Sequence, residues 1–200
     1  MNKLLIAVAI AGACAAAPAS AQWYIGGGVG AAQAKLGSFS PAAGATANGN
    51  SSRDTSWKIY GGYQFTPNWG IEAQYTDLGK YDYTVSAGAV SASGSYKAQQ
   101  WGIAGTGTLP LSNNFYLMGK LGISSNHVSG SNACGAIVGC TSVSGGNKTD
   151  LLAGLGVGYN FNKNWGIRFE YENFGKMANV QNSGGSIKGD NWALTAKYSF

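Results

Sequence analysis

Residues 22 to 200 of this chain predict an all-β fold, an eight-stranded antiparallel up-and-down barrel. Three observations predict it. Apolar residues alternate with small and polar ones at period two, and no run reaches the roughly 20 apolar residues of a spanning helix. A stretch shaped like a hairpin, GYQFTPNWGIEAQYTDLGK at 62–80, returns as GYNFNKNWGIRFEYENFGK at 158–176. Short turns alternate with long polar connections along the chain. Glycine is abundant (32 residues) and charged residues are 10 % of the chain, which suits a β protein better than a helical one.

The N-terminus reads as a secretory signal. Lys3 precedes an apolar run from Leu4 to Ala17, then Pro18 and Ala19-Ser20-Ala21. This is the order of charge, apolar core and small-x-small cleavage site, with cleavage expected between Ala21 and Gln22. The organisation is therefore a signal peptide at 1–21 and a barrel domain at 22–200. Cys14 raises a lipoprotein leader, but Ala11-Gly12-Ala13 lacks the large aliphatic residue such leaders carry. Cys134 and Cys140 remain after cleavage, and in an oxidising compartment two such close cysteines most simply form a local disulfide. A metal pair is the other reading, and it lacks ligands, since His127 is the only histidine.

The strands follow in order. The first is WYIGGGVGAAQA, 23–34. Trp57, Ile59, Gly61, Tyr63 and Phe65 alternate into Thr66-Pro67-Asn68, and Trp69, Ile71, Ala73 and Tyr75 alternate out, a hairpin signature. A fainter copy surrounds LSNN at 111–114, with Trp101 to Leu109 leading in and Phe115 to Ile123 leading out. The second full copy runs from Leu151 through Asn162-Lys163-Asn164 to Tyr171, and NWALTAKYSF, 191–200, ends the count. Three short turns thus face four long connections, near 35–55, 78–95, 125–149 and 175–189. Closure removes the two edges that an open meander would expose.

The period does not say which face points out, but size does. An eight-stranded lumen just accommodates its own side chains. Six tryptophans, with Tyr63, Tyr75, Tyr159, Tyr171, Tyr198, Phe65, Phe115, Phe161, Phe169 and Phe200, share the apolar parity, far too much bulk for that lumen. The other parity carries Gly26, Gly28, Gly30, Gly62, Gly102, Gly154, Gly156 and Gly158. The apolar face therefore meets lipid, making this a transmembrane barrel of the outer-membrane type, with long loops extracellular and termini periplasmic. Trp23, Trp69, Phe115, Trp165, Tyr198 and Phe200 are expected as an aromatic girdle. The terminal outward Phe200 is similar to the signal by which barrel-assembly machinery recognises its clients.

These residues resemble a known family, the transmembrane domain of OmpA and related small outer-membrane proteins. WYIGGGVG at 23–30, GGYQFTPNWGIEAQYTDLGKYDY at 61–83, YKAQ at 96–99, GKLG at 119–122, IRFEY at 167–171 and the final YSF carry the resemblance. It spans nearly all of residues 22–200 apart from the loops. No wall-binding domain follows the barrel in this sequence, so the wall-anchoring role of longer relatives is not implied.

Inward parity collects Lys58, Glu72, Lys120, Arg168, Glu170, Glu172 and Lys197. The resemblance implies that Glu72 and Arg168 pair in the lumen. Buried charges must be paired or wet, so the set reads as a plug of salt bridges. A gate, in which Glu72 exchanges Arg168 for Lys120, is the sharper reading. The family's second interior pair aligns with Thr106 and Gly158, where both charges are gone. With the inward glycines, that predicts a less plugged lumen.

The loops carry Lys35, Arg53, Lys80, Lys148, Lys176 and Lys188, which suit lipopolysaccharide phosphates. Outer-membrane lipid, lipopolysaccharide, assembly machinery, periplasmic chaperones, and host or phage ligands at the loops are the expected partners. Nucleic acid is not one, and no cofactor or metal is expected. His127-Val-Ser129, with Asp150 as the acid, matches the residue types of a hydrolytic triad and of barrel enzymes that deacylate lipid A. The sequence favours a non-enzymatic OmpA-like protein serving envelope integrity and surface-loop interactions. A narrow porin-like channel for water, ions or very small solutes is the alternative, and a lipid A-modifying enzyme the third reading.

Overall fold

The computed structural model of the protein describes residues 22–36, 46–48, 52–87, 90–131, 146–179 and 186–200. The expected signal peptide and the Cys134–Cys140 disulfide lie outside these residues. Nine strands follow one another: β1 (Gln22–Leu36), β2 (Thr46–Asn48), β3 (Ser52–Gln64), β4 (Trp69–Ala87), β5 (Val90–Pro110), β6 (Phe115–Ser131), β7 (Gly146–Asn160), β8 (Trp165–Asn179) and β9 (Ser186–Ser199). Each of the eight longer strands pairs antiparallel with its chain neighbours, and β1 pairs with both β3 and β9, which closes the barrel. Three-residue β2 only adds to the outer end of β4, at Thr84–Ser86.

Two of the three short turns are copies. Phe65 N–H donates to Trp69 O, and Phe161 N–H to Trp165 O, both at 2.9 Å. Thr66 Oγ1 accepts from the amides of Asn68 and Trp69, and Asn162 Oδ1 accepts from those of Asn164 and Trp165. The third turn uses left-handed Asn113 and Asn114 instead, a conformation asparagine tolerates better than most residues.

At the other end the strands outrun the sequence expectation. The connections expected at 78–95 and 125–149 begin and end inside strands, since β4 reaches Ala87, β5 starts at Val90, β6 reaches Ser131 and β7 starts at Gly146. Ladder hydrogen bonds do not need apolar side chains, so serine- and glycine-rich segments that read as loops extend the sheet. Just before these extensions β4 and β8 each carry a β-bulge, between Asp77 and Lys80 and between Asn173 and Lys176. Gly79 (φ 86°) and Gly175 (φ 65°) supply the left-handed residue. Asp54 accepts from the amides of Lys80 (2.6 Å) and Thr55, and Asp150 from those of Lys176 (2.7 Å) and Leu151. The internal repeat therefore includes a carboxylate clamp on each bulge.

The extra residue reverses the side-chain parity. Within the bulges Leu78 and Phe174 point inward; beyond them Tyr81 and Met177 also point inward, while Lys80 and Lys176 are exposed. With Ala32, Ala98, Ala104, Val128, Leu152 and Ile187 they make a buried apolar layer across the long-loop end of the lumen. Sequence parity named charged and small residues on the inward face and no such apolar layer.

The outer wall is apolar. Ile25, Val29, Ile59, Ile103, Leu121, Ile123, Leu155 and Leu194 are all more than half exposed. Aromatic rings border this band. Near the short turns Trp23–Tyr63, Phe115–Tyr159, Trp165–Tyr198 and Tyr198–Phe200 pack at 4.8, 4.8, 5.0 and 5.2 Å. Toward the long loops Tyr75–Trp101 and Tyr171–Trp192 pack at 4.7 and 4.6 Å. Trp69 stands outward with the first group, 67 % exposed.

Candidate functional site: the lumen and its charges

Six of the seven inward charges meet in one buried cluster between the apolar layer and the short-turn end. Lys120 Nζ is its hub, at 2.7 Å from Glu72, 2.8 Å from Glu170 and 3.1 Å from Glu172. Lys58 Nζ bridges Glu170 and Glu172, both at 2.8 Å. Arg168 Nη1 donates to Glu72 at 2.8 Å and reaches Glu170 at 3.3 Å. Three cations face three carboxylates, so the cluster is neutral. Such groups carry a heavy desolvation cost that only close, multiple pairing offsets.

The arrangement differs from a two-position switch. Glu72 holds Lys120 through Oε1 and Arg168 through Oε2 at the same time, and accepts a third bond from Tyr24 at 3.1 Å. Both partners proposed for exchange are thus occupied together. Polar neighbours extend the layer, with Gln74 bonded to Gln100 and Ser56 to Asn191.

The lumen is also fuller than the inward glycines implied. Tyr24 lies opposite Gly62, Tyr60 opposite Gly26 and Tyr116 opposite Gly158 in the ladder. A Cβ on any of these glycines would fall 2.1–2.3 Å from the facing ring. The glycines are therefore seats for tyrosines, the small-opposite-large fit a narrow barrel requires. Gly158, where the family's second interior charge is missing, lies under Tyr116 rather than under open space. Tyr24 and Tyr60 flank the Arg168 guanidinium at 5.0 and 4.6 Å. The signal was available in YIGGG and IYGGY, where tyrosine and glycine share the inward parity of paired strands.

Lys197 stands apart from the cluster. Its Nζ lies over the rings of Tyr24 (5.9 Å) and Tyr116 (5.4 Å), and no carboxylate is within ion-pair reach among the described residues.

The second candidate assembles with a different third member. Ser129 Oγ is 3.0 Å from His127 Nε2, and the Nδ1 side of the ring meets Asn147 Oδ1. All three are exposed on the outer wall, beyond Trp101. Asp150, the expected acid, is instead spent on the bulge clamp at Lys176. Among the described residues no group of three metal-ligating side chains forms.

A closed antiparallel barrel with an apolar outer wall between aromatic borders and a charged interior is an integral membrane β-barrel. Residues 5–200 match the family described as the outer membrane protein beta-barrel domain, and the chain belongs to it. No curated protein sequence matches the chain. Among solved structures it is similar to the outer membrane protein OprG of Pseudomonas aeruginosa, at 14 % identity and a TM-score of 0.61, covering 90 % of this chain and 96 % of that one. Neisserial surface protein A is similar at 17 % identity and a TM-score of 0.55, covering 90 % and 99 %. Ail, the attachment invasion locus protein of Yersinia pestis, solved in complex with the heparin analogue sucrose octasulfate, is similar at 19 % identity and 0.54, covering 90 % and 99 %. At these identities the likeness concerns the fold.

Proposed function

We propose that the protein is a non-enzymatic outer-membrane barrel that contributes to envelope integrity and presents its long loops to partners outside the cell. The filled lumen carries this reading: a neutral charge cluster and an apolar layer are stacked along the barrel axis. A narrow channel, the alternative, would need both layers to open together. The signal peptide at 1–21 directs export, the long loops face outward and the termini face the periplasm. The aromatic borders, including Trp23, Trp69, Phe115, Trp165, Tyr198 and Phe200, sit at the lipid–water boundaries, and Phe200 serves barrel assembly. Loop cations Arg53, Lys80, Lys148, Lys176 and Lys188 favour anionic partners such as lipopolysaccharide phosphates. A barrel of this fold has been solved with a sulfated polysaccharide analogue, which is in keeping with polyanion contacts.

The test is an epitope inserted between residues 88 and 89, probed on intact cells, beside a deletion strain challenged with detergent. Labelling of intact cells and raised detergent sensitivity are expected. Labelling only after lysis, or an unaltered deletion strain, would contradict the reading.

One observation favours a second reading, a lipid-modifying enzyme. Ser129, His127 and Asn147 have the order and spacing of nucleophile, base and orienting group, and they face the lipid side. Comparing lipid A acylation before and after Ser129→Ala decides it: an unchanged pattern removes the enzyme.

A further inference from the structure

The short-turn end of the lumen is a polar vestibule, a pocket of about 570 Å³ whose lining contains Lys163, Arg168 and Lys197 and no acidic residue. That imbalance is local. Deeper in, Glu72, Glu170 and Glu172 each pair with cations of the set Lys58, Lys120 and Arg168. Lys197 is left as an excess cation, held over two tyrosine rings. Arg168 is only 4 % exposed and turns Nη1 to the carboxylates, while its Nε has no hydrogen-bond partner. The hydroxyl of Tyr116, 6 % exposed and also lining the pocket, has none either. Two residues of the lining thus carry a buried polar atom without a partner, beside one ammonium with no counter-charge.

Buried donors are normally satisfied, and a half-buried cation without a counter-charge favours an anion. An anion meets all three demands at once. We propose that this vestibule binds a small oxyanion-bearing molecule, its phosphate or carboxylate group held by Lys197, Arg168 and Tyr116. Guanidinium and ammonium donors form the short, charge-assisted bonds that oxyanions favour. The volume exceeds that of a bare ion and falls in the range of small-molecule pockets. The rest of the ligand lies toward the mouth, among the amides of Gln64, Asn114 and Asn160. Gln22, also at the rim, donates to the Phe200 carbonyl oxygen at 2.7 Å. On the proposed orientation, the vestibule opens to the periplasm.

The test uses protein extracted from outer membranes into a maltoside detergent, which contains no phosphate. Inorganic phosphate is titrated while amide resonances are followed by NMR. Saturable shifts at Lys197 and Tyr116 are expected, with apparent affinity lower by roughly tenfold or more in Lys197→Gln. Lys97→Gln, at an exposed position of β5 toward the opposite end of the barrel, is expected to bind as the parent does. A second titration replaces phosphate with a short-chain phosphatidylglycerol to separate a lipid headgroup from a free anion. Shifts that fail to saturate, that spread over the long-loop lysines, or that persist unchanged in Lys197→Gln would overturn the site. Saturation by the lipid alone would overturn its assignment to a free anion.

Discussion

In the middle of the barrel, six charged side chains fill the space between the strands; toward the long loops, ten apolar ones do the same. Both layers exclude water, but they tolerate change differently. The charged layer depends on geometry, because each ion is stable only while its partners stay within about 3 Å. The apolar layer depends on volume, because dispersion and burial do not care which methyl group supplies the contact. The two layers also arise differently from the chain. Strict alternation puts Glu72, Glu170 and Glu172 inside, whereas Tyr81 and Met177 reach the lumen only because a bulge precedes them.

This contrast can be broken at graded cost. Lys120→Met leaves three carboxylates facing two cations, and we expect it to lower stability by about 3–5 kcal/mol, read from urea unfolding in lipid vesicles. Leu78→Ala removes a fully buried side chain from the apolar layer and should cost roughly 2–4 kcal/mol, within the usual range for such truncations. If the apolar substitution costs more than the loss of the hub lysine, the proposed ranking of the layers is wrong. Gly175→Ala should cost about 1–2 kcal/mol, since the left-handed backbone disfavours a Cβ; that Cβ would also meet the Asp150 carboxylate at 2.7 Å. Equal melting of Gly175→Ala and the parent would remove the bulge from the account.

The smallest effect is one of pH. Asp150 lies on the loop side of the apolar band, and the amides of Lys176 and Leu151 hold its carboxyl below the usual carboxylate value. A lowered folded-state pKa stabilises the fold above the unfolded pKa, and that contribution fades as pH falls through the folded value. Unfolding midpoints should therefore drop slightly on acidification below the ordinary aspartate range, and Asp150→Asn should flatten that slope. A slope unchanged by Asp150→Asn would contradict the clamp.

Much of this was legible in residues 22–200. The repeat, the strand count, the outward tryptophans and the identity of the inward charges all follow from period-two parity and a narrow lumen. The bulges lay inside the quoted repeat, in TDLGK and ENFGK, and Asp54 and Asp150 precede them at the same distance. Alternation alone does not mark an added residue, so the segments just past Gly79 and Gly175 read as the long connections 78–95 and 175–189. The tyrosine seats were missed because parity reports direction and not which residue stands opposite. The third member at His127 was missed for a related reason: Asn147 is distant in sequence and becomes its neighbour only through the β6–β7 register.

The central claim is that two independent layers close the barrel. Single-channel current across planar bilayers tests it most directly, using the protein and its Glu72→Gln variant, with folding confirmed by a heat-dependent gel shift. The account predicts silent membranes for both, because the apolar layer remains when the charge cluster is weakened. Discrete conductance steps in the parent, altered by Glu72→Gln, would contradict it and make the lumen a gated pore.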